Sequence, residues 1–122
     1  MGTYSKIILS GSTDGAGINA SGTAPSLGAL VHTAVTGAAQ SIDEVWLYAY
    51  CQVTTARDLG IAIGPTTNVN SRFTYTITAD DQKGLYLIMP GMVCRNAALV
   101  KAYTTAATGG INVFGYVNRF AS

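Results

Sequence analysis

The sequence predicts an all-β fold: an antiparallel β-sandwich of about eight to ten strands, most simply a jelly roll, in one domain over residues 1–122. Short runs rich in β-branched and aromatic residues are separated by turn signals every eight to twelve residues or so. No segment sustains a helical period. A chain of this length can bury roughly two-thirds of the surface its unfolded form exposes, so it needs neither disulfides nor a metal to fold.

The elements follow in order. Tyr4–Ser10 is the first run, and Asp14-Gly15 after it is a hairpin signal, since Gly supplies the positive φ of a tight turn. Ala16–Ala20 follows, then a Ser/Gly/Pro loop over Ser21–Gly28. Ala29–Val35 is the next strand, and the small-residue loop Thr36–Ser41 leads to the longest one, Asp43–Val53. Leu59–Ile63 and Phe73–Thr78 flank the loop Gly64–Ser71. Asp80–Gly84 is a polar turn, and Leu85–Met89 runs into Pro90-Gly91, which suits the centre of a type II turn. Short strands around Met92–Cys94 and over Ala98–Thr104 come next, and after the break Thr105–Gly110 the chain closes with Ile111–Phe120.

Alternation tells which strands have a wet face. In Arg72–Thr78, Phe73, Tyr75 and Ile77 share one face while Arg72, Thr74, Thr76 and Thr78 share the other, the pattern of a half-buried outer strand. Asp43–Val53 differs. Val45, Leu47, Ala49 and Cys51 line one face and Trp46, Tyr48 and Tyr50 the other, so both faces are apolar. One of them must lie under the chain's own arms or against another subunit. Trp46, Tyr48 and Tyr50 are the candidate protein-interface residues, because Tyr and Trp join large area to a polar handle.

The charged fraction is 11%, less than half the usual quarter, and Gly, Ala, Ser and Thr stand in its place. A surface so poor in charge points to an oligomer or an assembly subunit. Net charge is +1, and Lys6, Arg57, Arg72, Lys83, Arg95, Lys101 and Arg119 are scattered singly, which argues against nucleic acid. No apolar stretch approaches the ~20 residues of a membrane span. Ile7-Ile8-Leu9 is too short for a signal-peptide core, so a cytoplasm, or a particle assembled there, is the expected setting. In that setting Cys51 and Cys94 are expected as buried thiols.

Chemistry has few candidates. His32 is the only histidine, and a lone His in a strand reads as structural. With two distant Cys besides, the ligand count for zinc fails. Asp14, Asp43, Glu44, Asp58, Asp80 and Asp81 sit mostly at turns and strand starts, where Asp satisfies backbone amides. Asp80-Asp81 could supply half a calcium site but has no second carboxylate cluster in reach. Gly11, Gly15 and Gly17 lack the Lys-Ser/Thr of a phosphate loop, and Asn19-Ala20-Ser21 matters as a glycosylation pattern only in a secreted chain. No cofactor and no enzymatic activity are expected.

Ile7-Ile8-Leu9-Ser10-Gly11-Ser12-Thr13-Asp14-Gly15, Leu30-Val31-His32-Thr33-Ala34, Asp43-Glu44-Val45-Trp46-Leu47-Tyr48-Ala49, Pro90-Gly91 and Gly115-Tyr116-Val117-Asn118-Arg119 resemble the capsid decoration (cement) proteins of tailed bacteriophages. The resemblance runs over almost the whole chain in order, and Ala16–Ala20 departs from it in lacking a charged residue. It implies a jelly-roll virion protein, assembled in the host cytoplasm, that binds the major capsid protein on the capsid exterior and self-associates as a trimer or dimer. It carries over no functional residue position by position. The competing expectation is a carbohydrate-binding jelly-roll module of a tail or receptor-binding apparatus, with Trp46, Tyr48 or Tyr50 as sugar platforms. Against it, these aromatics lie mid-strand, and the loops Ser21–Gly28 and Gly64–Ser71 contain no aromatic residue.

Overall fold

The computed structural model describes residues 2–37, 40–52, 57–64, 69–77, 85–104 and 110–121. Nine strands are present among them: β1 Thr3–Ile8, β2 Ile18–Asn19, β3 Ala29–Thr33, β4 Ile42–Cys51, β5 Arg57–Ile63, β6 Arg72–Ile77, β7 Tyr86–Cys94, β8 Leu99–Thr104 and β9 Ile111–Ala121. Two single 3-10 turns, Pro25–Leu27 and Val69–Ser71, are the only helical elements described.

All pairings are antiparallel and form two sheets. Sheet A runs β1-β9-β4-β7, with β2 also on β9, and sheet B runs β3-β8-β5-β6. The chain steps from one sheet to the other at β2/β3, β3/β4, β4/β5, β6/β7, β7/β8 and β8/β9. This is the strand order of a jelly roll. The core lies between the sheets and is apolar: Val45, Leu47 and Val117 of sheet A meet Val31, Leu59, Ile61 and Val100 of sheet B. Cys51 and Cys94 are both buried in it, and neither forms a disulfide.

Local expectations fare unevenly, for identifiable reasons. Asp14 and Gly15 do form a tight turn, at φ 54° and 87° and closed by the Ala16 N–H on the Thr13 carbonyl. It is not a hairpin, because β1 and β2 each pair with a different end of β9 rather than with each other. Of Ala16–Ala20 only Ile18–Asn19 is strand. Pro90-Gly91 is not a turn either. Both residues lie inside β7 opposite Trp46, as a bulge between the pairs Val45/Met92 and Leu47/Met89, and so fuse two expected strands into one. The ladder tolerates Pro there because β7 is an edge strand, and Gly91 accepts the φ of 70° the bulge imposes. Strand β6 is the outer strand expected, although of its apolar face only Ile77 is buried while Tyr75 stands exposed. The expected turn Asp80–Gly84 lies outside the described residues, as do 105–109 and the middle of the Gly64–Ser71 loop.

The β7–β8 connection stores local strain. Asn96 and Ala97 both sit at positive φ, 60° and 59°, between Arg95 and Ala98. Asn tolerates this region, whereas the Cβ of Ala crowds the following carbonyl. Ala97→Gly should therefore stabilise the protein by about 0.5–1 kcal/mol after the greater flexibility of Gly when unfolded is subtracted. Urea unfolding measures it, and an unchanged or lower midpoint contradicts the strain.

Candidate protein-interaction face

Strand alternation divides β4 cleanly. Asp43, Val45, Leu47, Ala49 and Cys51 point inward and are buried, and Ile42, Glu44, Trp46, Tyr48 and Tyr50 point outward and are half-buried. The chain thus covers the second face of β4 only in part. Strand β9 lies beside β4 in unbroken register, Ile42/Phe120 through Cys51/Ile111, and adds Phe114, Tyr116 and Phe120 to the same outer surface. Strand β1 adds Tyr4, Lys6 and Ile8 beyond it. Tyr4, Ile8 and Phe120 are exposed at 67%, 49% and 43%, large for apolar side chains on one flat surface.

The centre of this face is held in place. Trp46 and Tyr116, directly opposed across β4 and β9, lie parallel within 7° at a centroid distance of 6.2 Å. The Trp46 indole N–H donates to Glu44 Oε1 at 2.7 Å, and Asn118 Nδ2 donates to the same oxygen at 3.0 Å. Those two bonds hold the Glu44 carboxyl below the usual carboxylate range, so it stays anionic. The Lys6 ammonium stands 4.6 Å from the centroid of the Tyr116 ring, a cation–π contact. Gly91 makes room on the other side: a Cβ there would come within 3.1 Å of the Trp46 ring. Among the outward side chains of β1, β9 and β4, Lys6 and Glu44 are the charged ones.

The polar groups that sequence reasoning treated separately meet beneath it. Asp43 is fully buried and accepts from Arg119 Nε at 2.8 Å, Arg119 Nη2 at 2.9 Å, His32 Nε2 at 2.7 Å and the Val35 amide at 3.0 Å. The Ser10 amide donates to His32 Nδ1 at 3.0 Å, so Nδ1 is bare and Nε2 carries the proton. Ser10, His32 and Asp43 therefore resemble a nucleophile triad in composition only. Ser10 Oγ accepts the Thr33 amide at 2.7 Å, and the ring nitrogen that would have to serve as its base is occupied by backbone. Cys94, opposite Asp43 on β7, is pushed up to about 11 by burial and by the Asp43 charge, which leaves it a thiol at neutral pH.

Reading Asp43 as a strand-start residue that caps backbone captured only the Val35 contact. The missing signal was its phase: Asp43 falls on the same alternation as Val45 and Leu47, and an inward carboxylate demands partners. The same phase in β9 turns Arg119 inward with Val113 and Val117, and puts Phe114, Tyr116 and Phe120 outward. Asp80-Asp81 lies outside the described residues. Among the described ones no three His, Cys, Asp or Glu side chains gather as a metal site, and no helix is long and apolar enough to cross a membrane. An open groove of about 410 Å³ between Ile63, Arg72 and Phe73 on one side and Met92 and Val93 on the other has no carboxylate, His or Cys among the described residues of its rim. No family model, curated protein or solved structure matches this chain.

The Asp43 cluster gives a pH-dependent stability with a definite sign. Burial alone would raise the carboxyl pKa, but the hydrogen bonds from Arg119 and His32 and the Arg119 charge outweigh it and hold the group below its ordinary value of 3.8. Its stabilisation is fully present above that value and is lost as pH falls through the lower folded one. Asp43→Ala should cost about 3 kcal/mol at pH 7, because Arg119, His32 and the Val35 amide lose their acceptor together. Urea unfolding of both proteins from pH 7 down to about pH 3 should show this gap narrowing at the acid end. A gap that is constant with pH would mean that the loss is one of packing rather than of charge.

Proposed function

We propose that this protein is a non-enzymatic virion structural component that decorates and stabilises an icosahedral phage capsid by binding the major capsid protein on the capsid exterior. The observation that carries the reading is the outer face of sheet A: a nearly uncharged, aromatic surface spread over β1, β9 and β4 and only partly covered by the chain. The resemblance of the Ser10–Gly15 and Gly115–Arg119 stretches to decoration proteins gives the partner its identity. Along the edge of the same sheet, Leu87 and Val93 of β7 add exposed apolar area. The described polar cluster is buried with its hydrogen-bonding groups committed to the fold, as suits a protein whose work is adhesion.

A subunit that bridges neighbouring capsid proteins adds its binding free energy to the intact shell and not to the broken one, so shell stability rises with occupancy. Many copies per particle let weak individual contacts sum. Because the chain carries a net charge of only +1, attachment should rest on shape and apolar burial and survive raised salt.

Particles prepared with and without the protein should differ in the temperature or osmotic shock at which they rupture, the decorated ones resisting longer. Decoration should persist from about 0.1 to 0.5 M salt, over which screening of charge contacts tightens markedly. Equal rupture thresholds, or imaging that places the protein on the tail alone, would sink the proposal and turn attention to glycan binding by the aromatic face.

A further inference from the structure

The charge pattern on the outer face of sheet A indicates what covers it. Lys6 of β1, Asn118 of β9 and Glu44 of β4 lie in one row, paired in register across the three strands. Lys6 and Glu44 therefore stand on either side of β9, each one strand spacing of about 4.8 Å away. A two-fold rotation about an axis lying along β9 on the sheet surface turns this face onto a copy of itself. It exchanges the places of β1 and β4 and leaves every row at its own height. Lys6 then comes over Glu44 of the second copy, and Glu44 over Lys6 of the second copy, the reciprocity that an isologous contact requires.

The neighbouring rows obey the same operation. Ile8, Tyr116 and Trp46 form one, so Ile8 meets Trp46 of the copy and the two Tyr116 rings meet on the axis. Tyr4, Phe120 and Ile42 form another, so Tyr4 meets Ile42 of the copy and Phe120 meets Phe120. Nowhere in these rows do like charges face each other, and apolar meets apolar on both sides of the charged row. A face carrying one cation and one anion at mirrored positions is complementary to itself, whereas an acidic or basic partner would leave one of the two opposed by its own sign.

The area suffices for a real but modest association. The ten, eleven and six residues of β4, β9 and β1, at about 3.3 Å rise and about 4.8 Å spacing, give a flat patch of roughly 430 Å² per copy. Side-chain relief brings the pair to roughly 1,000 Å², the lower limit for a specific interface. We propose that this chain forms a two-fold homodimer through the outer face of sheet A, with its axis along β9 and reciprocal Lys6–Glu44 pairs. This pairing does not depend on the capsid reading: a protein that fails to bind shells can still dimerise, and a monomer can still decorate them.

Sedimentation equilibrium of the full chain, up to about 500 µM to reach sub-millimolar dissociation constants, tests it. The wild type should show a monomer–dimer equilibrium. Lys6→Glu and Glu44→Lys should each weaken the dimer by about tenfold at low salt, and the double exchange should bind more tightly than either single variant. Lys6 is exposed on an edge strand, so its exchange leaves the fold intact, and a matching circular dichroism melt checks this for all three. Tyr48→Glu, on the same face outside the charged row, should also weaken the dimer. A wild type that stays monomeric, a closed trimer, single exchanges without effect, or a double exchange no tighter than the singles would each overturn the proposal.

Discussion

One buried carboxylate fixes the phase of the whole sheet. Asp43 sits on β4 of sheet A, receives a bidentate guanidinium from Arg119 on β9 of the same sheet, and receives His32 from β3 of sheet B. Through His32 it also positions the Ser10 amide, and through Val35 the start of the β3–β4 connection. Two charges taken out of water seldom add much to stability over an apolar packing of the same volume, but breaking such a pair is expensive. That asymmetry specifies register. A slip of one residue in β4 would turn Asp43 outward and bring Glu44 and Trp46 into the core, and every side chain after them would change face. Asp43 inward therefore means Trp46, Tyr48 and Tyr50 outward. The buried polar cluster thus determines where the aromatic surface lies.

Much of this was legible in the sequence, and the failures share a cause. Period-two alternation gave both faces of β4 correctly, and it gave the sandwich class, because each strand's pattern is imposed locally by which side is dry. It could not say which strands neighbour which. Asp14-Gly15 reads as a hairpin because a tight turn usually joins paired strands, but here β9 takes both partners. Pro90-Gly91 reads as a turn because nothing in the dipeptide distinguishes a chain reversal from a bulge, and only the continuous pairing of β7 with β4 decides it. Arg119, Asp43 and His32 are separated by up to 87 positions (119 − 32). Their meeting is a product of topology: the inward phase of Asp43 and Arg119 was open to reading, whereas a bulge in β3 turns His32 into the core beside the equally buried Val31.

The bulges in β7 also protect the sheet. Pro90-Gly91 and the extra residue Ile88 break the regular ladder along an edge that could otherwise pair with another chain. They do so without spoiling the adjacent face, since Gly91 leaves space for the Trp46 ring beside it. Edge-to-edge pairing is thus discouraged along β7, and face-to-face contact is left open.

Placing the proposed contact on a sheet face rather than on loops has an energetic consequence. Trp46 and Tyr116 are held by backbone pairing on both strands, by the Glu44 and Asn118 hydrogen bonds and by the Lys6 cation, before any partner arrives. Aromatic side chains have few rotatable bonds, and these have already lost part of that freedom in folding. Little ordering entropy then remains to be lost on contact, and more of the apolar burial appears as affinity. A loop would have to be ordered at each encounter, and a charged surface would weaken with salt. A stiff, nearly neutral face does neither. That property suits a protein whose contacts must hold together, in many copies, through changes in the surrounding medium.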